Sequence, residues 1–544
     1  MTRARCFVAF IICAVVVVST GASSVPTRSQ RGMVVSQNEI ASRIGAAVLR
    51  DGGSAIDAVV ATAFALAVTH PTAGNIGGGG FIVFRPATGE PVTYDFREKA
   101  PAKASPTMWL KDGKYSAELH HSSHMSVGVP GTVAGLNLAW KEQGKLPWKR
   151  LVDPAVQLAR DGFVVSDNLA RSLKSVQRTM QKYPASVAAF TKNGVPYEPG
   201  ETLKQPDLAR TLERISAQGP AGFYEGETAA LIEKDMNANG GLITRADLKN
   251  YAAVRRAPVK GSYRGYELIS MPPPSSGGVG VIEMLNVLEG YDLKAMGFSS
   301  AAQIHVMAEA MKRSYADRAK FLGDPDFNKE MPLARLMSKD YATTLRKTIN
   351  MDRASKASPS TFEWSHESDE TTHVSVVDSN RNAVSMTYTL ENSYGVKAVV
   401  PGAGFLLNDE MGDFNAAPEM TTEEGLIGTK PNLAEPGKRM LSSMIRSSSS
   451  RALAYRSRAA FPYCGWSRIA GNEPFNSQAA KKNVQSMYGS SRSRSTLSIV
   501  FLPVNGREGK RSCSQSIFSR FANASSYAMS GRCLRAPCCS RSRS

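Results

Sequence analysis

The chain has 544 residues, of which 42% are hydrophobic and 21% charged, and its formal net charge is +19. This length is sufficient for a large core without disulfides, in one unit or several. The charge does not imply a nucleic-acid partner: the excess lies mostly in residues 446–544, where the acids are reduced to Glu473 and Glu508, and the preceding chain is close to neutral.

Taken in chain order, Arg3 and Arg5, an apolar run over 7–18 and the small residues Ser19, Thr20, Gly21, Ala22 and Ser23 read as a secretory signal with a cleavage point after Ala22. The apolar run falls short of the roughly 20 residues that span a bilayer. The expectation is therefore an exported protein, periplasmic or secreted, with no stable membrane span after signal removal. Cys6 and Cys13 lie in the signal and the other cysteines beyond 446, so the mature body has none.

Apolar residues at helical spacing predict helices over 38–49 and 54–68, separated by Asp51-Gly52-Gly53. The cluster Gly77-Gly78-Gly79-Gly80 leads into a strand at 81–84, which can pair with a second strand at 92–96. Because the glycines precede a strand instead of opening a helix, they suit close backbone packing and not dinucleotide binding. Further helices are predicted after Gly131 to about 142, and over 148–161, 206–218, 228–237, 277–288 and 300–322. Another strand is predicted at 266–270. His120, His121 and His124 have metal-like spacing, but no neighbouring carboxylate or cysteine completes a site, and the expectation is an exposed loop.

Thr371 opens the alternating run Thr371-Thr372-His373-Val374-Ser375-Val376, followed by a second one over 383–389, a β-hairpin pattern behind an acidic stretch. An ordinary strand start accounts for paired β-branched residues. A sharper reading is chain cleavage between Glu370 and Thr371. The freed α-amine, with a reference pKa of roughly 7.7 to 8.0, would then serve as the base that a threonine nucleophile requires. His373 alternates with Thr371 along the strand and is not nominated as that base.

Three segments give this threonine a chemical setting. Tyr94-Asp95-Phe96-Arg97-Glu98 sets an arginine at a strand end, Leu407-Asn408-Asp409-Glu410-Met411-Gly412-Asp413 places carboxylates in a turn, and Met440-Leu441-Ser442-Ser443-Met444 adds paired hydroxyls. Together with 77–81, 128–132, Pro272-Pro273-Pro274-Ser275-Ser276 and 309–318, they make the chain resemble the γ-glutamyltranspeptidase (glutathione hydrolase) family from about Gly32 to Met444.

The resemblance implies an α+β fold, the αββα sandwich of an N-terminal nucleophile hydrolase. It implies a signal at 1–22, a large subunit at 23–370 and a small subunit whose family-like part is 371–445, both cut from one precursor at the Glu370-Thr371 bond. Thr371 would be the catalytic nucleophile, with Arg97 gripping the substrate α-carboxylate, Glu391, Glu410 and Asp413 around the α-ammonium, Thr389 beside the nucleophile, and Ser442 and Ser443 on the carboxylate side. The substrate would be glutathione or another γ-glutamyl amide, and the acceptor water or the amine of an amino acid or peptide. No metal or organic cofactor is implied. Residues 415–431 match a segment that forms a lid in some members.

After Ile445 the pattern breaks. Amphipathic periodicity fades, and no Gly-Gly pair follows Ser443, where the family carries a strand and then two glycines that form its oxyanion hole. Residues 446–544 read either as a disordered basic tail or as the product of a shifted reading frame. Two alternatives to an active γ-glutamyl enzyme stand beside it: a catalytically impaired, frameshifted or truncated member of the family, or a related acylase on the same fold.

Overall fold

The computed structural model describes residues 29–355, 371–420 and 428–444, and the backbone of 447–451 and 498–501. The expected signal at 1–22, Glu370, the centre of the 415–431 segment and most of 446–544 lie outside the described residues.

Strand β1 (Met33–Ser36) leads into helices α1 (Glu39–Arg50) and α2 (Ala55–Thr69). Asn38 caps α1 by accepting from Ile40 N at 2.9 Å, and Ser54 and Asp57 form a reciprocal capping box on α2. Every residue of α2 is buried, because α1 and a later helix cover one side and the main sheet covers the other. Strands β2 (Gly79–Arg85) and β3 (Val92–Asp95) follow, then the short helix α3 (Ala117–His121).

A helical stretch comes next: α4 (Thr132–Gln143), α5 (Trp148–Asp161), α6 (Asp167–Met180), α7 (Pro206–Gln218) and α8 (Gly226–Asn239). Strands β4 (Val254–Arg256), β5 (Val259–Tyr263) and β6 (Tyr266–Ser270) precede α9 (Gly277–Leu288), α10 (Ala301–Phe321) and α11 (Lys339–Arg346). The hairpin expected behind residue 371 is β7 (Thr372–Val377) and β8 (Ala383–Thr389). Helices α3, α6 and α11 go beyond the expected set. In α6 only Leu169, Ala170, Leu173 and Met180 are buried, a narrow stripe in a polar sequence.

Two antiparallel sheets organise these elements. The larger has the order β4-β3-β2-β8-β7-β1-β10, where β10 is Ser498–Phe501. The smaller is β5-β6-β9, where β9 is Ser447–Arg451. Sheet pairing thus continues beyond Ile445, where the sequence suggested that regular structure ends: residues of β9 pair with β6 from Ser270↔Ser447 to Tyr266↔Arg451. A polar segment without alternation can do this because an open edge supplies the backbone partners.

Side-chain alternation assigns the layers. Val374, Val376, Val384, Met386 and Tyr388 point to one face of the large sheet and join the core with α2, α4 and α5. Phe81 and Val83 point to the opposite face, where they meet Ile269 and Met271 beside the small sheet. Val259 of the small sheet packs in turn against Val279 and Ile282 of α9. The stack is helix, sheet, sheet, helix, as the sequence led us to expect.

Candidate active site

Strand register gathers the proposed reacting groups at one end of the large sheet. Thr372 lies opposite Tyr388, so Thr371, one step earlier, falls opposite Thr389. Thr389 lies opposite Gly79. Phe96 and Gly80 exchange backbone hydrogen bonds at 3.0 and 3.3 Å, which places Arg97 beside Gly79. Thr371, Thr389, Gly79 and Arg97 therefore form one transverse row, with successive backbones about 4.8 Å apart. The row lies on the face turned toward the small sheet, the face of Phe81 and Val83.

Gly79 is required in this row by its neighbours. A Cβ there would come within 2.4 Å of the Phe96 carbonyl oxygen and 2.7 Å of the Glu98 carboxyl. The other three glycines of the cluster are as confined: a Cβ would meet Leu406 O at Gly77, Thr389 O at Gly78 and Thr387 O at Gly80, all under 2.5 Å. Close backbone packing, the role expected from sequence, is what these positions do.

At the end of the row the Arg97 side chain is fully buried and donates to the carboxylates of Glu410 and Asp413 through separate nitrogens. Its Nε also reaches Met440 O at 3.4 Å, and Glu98 lies 3.6 Å from Nη1. Burial alone would lower the Arg97 pKa, but Glu410, Asp413, Glu98 and Glu391 reverse this and raise it. The guanidinium stays charged.

Its carboxylate neighbours outnumber it. Burial raises the Glu98 pKa to about 8 against the pull of Arg97. Burial, then the charges of Asp409, Asp413 and Glu410, raise Glu391 well above the usual carboxylate range. Glu410 is also raised, by burial first, with Arg97 opposing. One cation cannot support this many buried anions, so the cluster retains protons at neutral pH. Glu98 Oε1 and Oε2, Glu391 Oε2 and Glu410 Oε1 have no hydrogen-bond partner.

Glu391 adopts φ 75°, a left-handed conformation unusual for a non-glycine residue. Its backbone N–H donates to Thr389 Oγ1 at 3.1 Å, and its Oε1 lies 3.6 Å from His121 Nδ1. Ser442 is locked by the Pro-rich segment: its N–H donates to Pro274 O at 2.8 Å, and its carbonyl accepts from Ser276 N and Ser276 Oγ. Ser442 Oγ accepts from Met444 N at 3.2 Å. Ser443 is half-buried beside it. Arg97, Glu410 and Asp413 are joined by direct contacts, Thr389 and Glu391 by the donation of the Glu391 N–H to the Thr389 hydroxyl, and Thr371 by register.

One sequence expectation is overturned. His120 and His124 are buried, not part of an exposed loop. Trp109 covers His120 by stacking at 3.9 Å, and Asp235 accepts from His124 Nε2 at 3.2 Å. Partners distant in sequence enclose them, which local polarity cannot reveal. Among the described residues no group of three or more His, Cys, Asp or Glu is arranged to hold a metal ion.

Asn408 went unnominated, yet it is the hub behind the acidic turn. Its Oδ1 accepts from Gly128 N and Glu410 N, and its Nδ2 donates to Gly77 O and Gly128 O. The one signal available in sequence was an asparagine directly before two acids in a turn-prone stretch. The base of the 415–431 segment is tied down, Asn415 N–H donating to Asn432 O at 2.9 Å and Asn432 Nδ2 to Asp413 O at 2.7 Å.

Comparison with known proteins gives consistent relatives. A family model described as gamma-glutamyltranspeptidase matches residues 41–447. The glutathione hydrolase proenzyme of Escherichia coli (strain K12) is 46% identical over 424 residues, covering 77% of this chain and 73% of that protein. The crystal structure of Helicobacter pylori gamma-glutamyltranspeptidase matches with a TM-score of 0.59 at 46% identity, over 61% of this chain and 95% of that one. A cephalosporin acylase from Bacillus halodurans matches with a TM-score of 0.68 at 26% identity, over 79% of this chain and 78% of that one.

Proposed function

The chain belongs to the γ-glutamyltranspeptidase family, and from that premise we propose that Thr371 is its nucleophile, activated by the α-amine that cleavage of the Glu370-Thr371 bond would free. It is an N-terminal nucleophile hydrolase whose activity is γ-glutamyl hydrolysis and transfer, with glutathione hydrolases among its relatives. Two subunits arise from one precursor, in line with the proenzyme relatives. The boundaries assigned to them are 23–370 and 371 onward, and export through the signal at 1–22 is part of the same proposal.

In maturation Thr371 Oγ would attack the Glu370 carbonyl, and hydrolysis of the resulting ester would free the amine. In turnover the same oxygen would attack the γ-amide, passing its proton to the α-amine, which returns it to the leaving amine. The γ-glutamyl ester on Thr371 would then go to water or to an acceptor amine. Arg97 would hold the substrate α-carboxylate, with Ser442 and Ser443 on that side. Glu391, Glu410 and Asp413 would face the α-ammonium, and Thr389 would steady the nucleophile from the adjacent strand.

The observation that carries this reading is the row running from Thr371 through Thr389 and Gly79 to Arg97, with the Arg97 contacts to Glu410 and Asp413 at its end. Within the cluster these opposite charges satisfy each other. A zwitterionic glutamyl head brings one charge of each sign and replaces both partners together, whereas an acyl group without them would leave the arginine or the acids unpaired. This favours γ-glutamyl substrates over those of an acylase.

A second reading has its own observation. No Gly-Gly pair follows Ser443, and loss of even one oxyanion donor costs on the order of 10² to 10³ in rate. N-terminal sequencing of purified protein, with an assay of γ-glutamyl-p-nitroanilide cleavage, decides between the two. A fragment beginning Thr371-Thr372-His373 and release of nitroaniline support the active enzyme, and an uncut, inactive chain supports the impaired one.

A further inference from the structure

We propose that His120 is a positioning residue for the acidic wall of the site: it holds the turn carrying Glu410 and Asp413 through the Met411 carbonyl and thereby sets affinity for the ammonium group of a γ-glutamyl head. The inference rests on the functional reading above and adds to it a residue outside the expected site.

The hydrogen bonds define one arrangement. His120 Nε2 lies 3.2 Å from Met411 O. A carbonyl oxygen only accepts, so Nε2 carries the proton. His120 Nδ1 lies 3.0 Å from the Tyr115 hydroxyl, which must then donate to it. The chain of donors runs from Tyr115 to His120 to Met411, and Met411 lies within the 3-10 turn Glu410–Asp413. Burial lowers the His120 pKa well below its ordinary value, with His121 adding to the effect, so the ring is neutral and keeps this tautomer.

Packing holds the ring in place. His120 is fully buried, and Trp109 stacks on it with centroids 3.9 Å apart at 28°. Trp109 also packs with Met411 and Phe414 in one small apolar cluster. The carboxylates of Glu410 and Asp413 thus project from a turn anchored on one side by Asn408, through Glu410 N, and on the other by His120. Asp413 needs such an anchor because its side chain is partly exposed, at 31%, while Glu410 is fully buried.

The test is titration calorimetry with L-glutamate and with glutarate, which lacks the ammonium group, on the full chain as purified and on three variants. His120→Leu removes the donor, His120→Gln offers an amide N–H to the same carbonyl, and Tyr115→Phe removes only the hydroxyl that fixes the tautomer. Expected is a roughly tenfold weaker Kd for glutamate in His120→Leu, about two- to threefold in Tyr115→Phe, and recovery toward wild type in His120→Gln, with glutarate binding unchanged throughout. Equal loss for glutamate and glutarate, or no loss in folded His120→Leu and Tyr115→Phe, overturns the proposal. A wild-type chain that does not prefer glutamate to glutarate overturns the functional reading itself, and the role of His120 with it.

Discussion

Arg97 and Glu410, 313 residues apart in sequence, meet as a buried ion pair in which the guanidinium donates through Nη1 to the carboxylate. The second nitrogen of the same fork serves Asp413. Lysine presents a single point charge and cannot serve two carboxylates in this fixed geometry. Arg97→Lys is expected to raise KM for a γ-glutamyl donor by roughly 10- to 100-fold, the range of one lost charge-assisted hydrogen bond. Steady-state kinetics with γ-glutamyl-p-nitroanilide measure it, and an unchanged KM would remove Arg97 from substrate binding.

Thr371 and Thr372 are neighbours on opposite faces. Thr372 is fully buried among the helix-side core, and its Oγ1 has no hydrogen-bond partner. Thr372→Val replaces an unsatisfied hydroxyl by a methyl group and is expected to stabilise the fold by about 1 kcal/mol or leave it unchanged, with activity retained. Thr371→Ala is expected to abolish both chain cleavage and turnover. Gel mobility and activity of the two proteins, compared side by side, separate the assignments.

Arg439 is a structural cation. It is 1% exposed, and its Nε lies 3.5 Å from Asp95 while its backbone N–H donates to Asp324 at 2.7 Å. Arg256 and Asp326 extend the network. Arg439→Met keeps the backbone donation to Asp324 but leaves Asp95 short of a cation and Ala252 O without its donor in a buried setting. The expected cost is about 3 to 5 kcal/mol, read from the denaturant midpoint; a loss under 1 kcal/mol would mean that Arg256 alone satisfies the acids.

Glu283 on α9 gives a pH-dependent prediction remote from the chemistry. Burial, reinforced by Asp317, raises its pKa to about 9, and its Oε1 lacks a partner. The raised folded pKa means that folding takes up a proton at every pH between about 4.5, the unfolded value, and about 9. The stabilisation is complete below the lower limit, declines across the interval at about 1.4 kcal/mol per pH unit, and is fully lost once pH has risen through the upper limit. Glu283→Gln is expected to flatten this alkaline decline in Tm, and an unaltered slope would place the titrating group elsewhere.

Most long helices were legible from apolar spacing: 148–161, 206–218 and 277–288 coincide with α5, α7 and α9. The hairpin β7–β8 was legible from alternation. The strand order was not, since β1 pairs with β7 across more than three hundred residues and no local pattern encodes that choice. Strand β9 was hidden because an edge can recruit a segment with little strand character of its own. Within the site, Arg97, Glu410 and Asp413 stood out as charged residues at a strand end and in a turn. His120 and Asn408 did not, because their roles depend on partners that only tertiary structure supplies.

Gly79 gives the row a consequence for engineering. Two backbones, those of β8 and β2, separate Thr371 from Arg97, and at β2 no side chain adds to the spacing. Position 79 therefore works as a gauge: a single added carbon would force the strand of Arg97 outward and lengthen the distance over which one glutamyl group must be held. On the roles proposed for Thr371 and Arg97, substrate length would be specified partly by an atom that is not there, and redesign toward longer acyl chains would start at this residue, next to the Glu98 carboxyl.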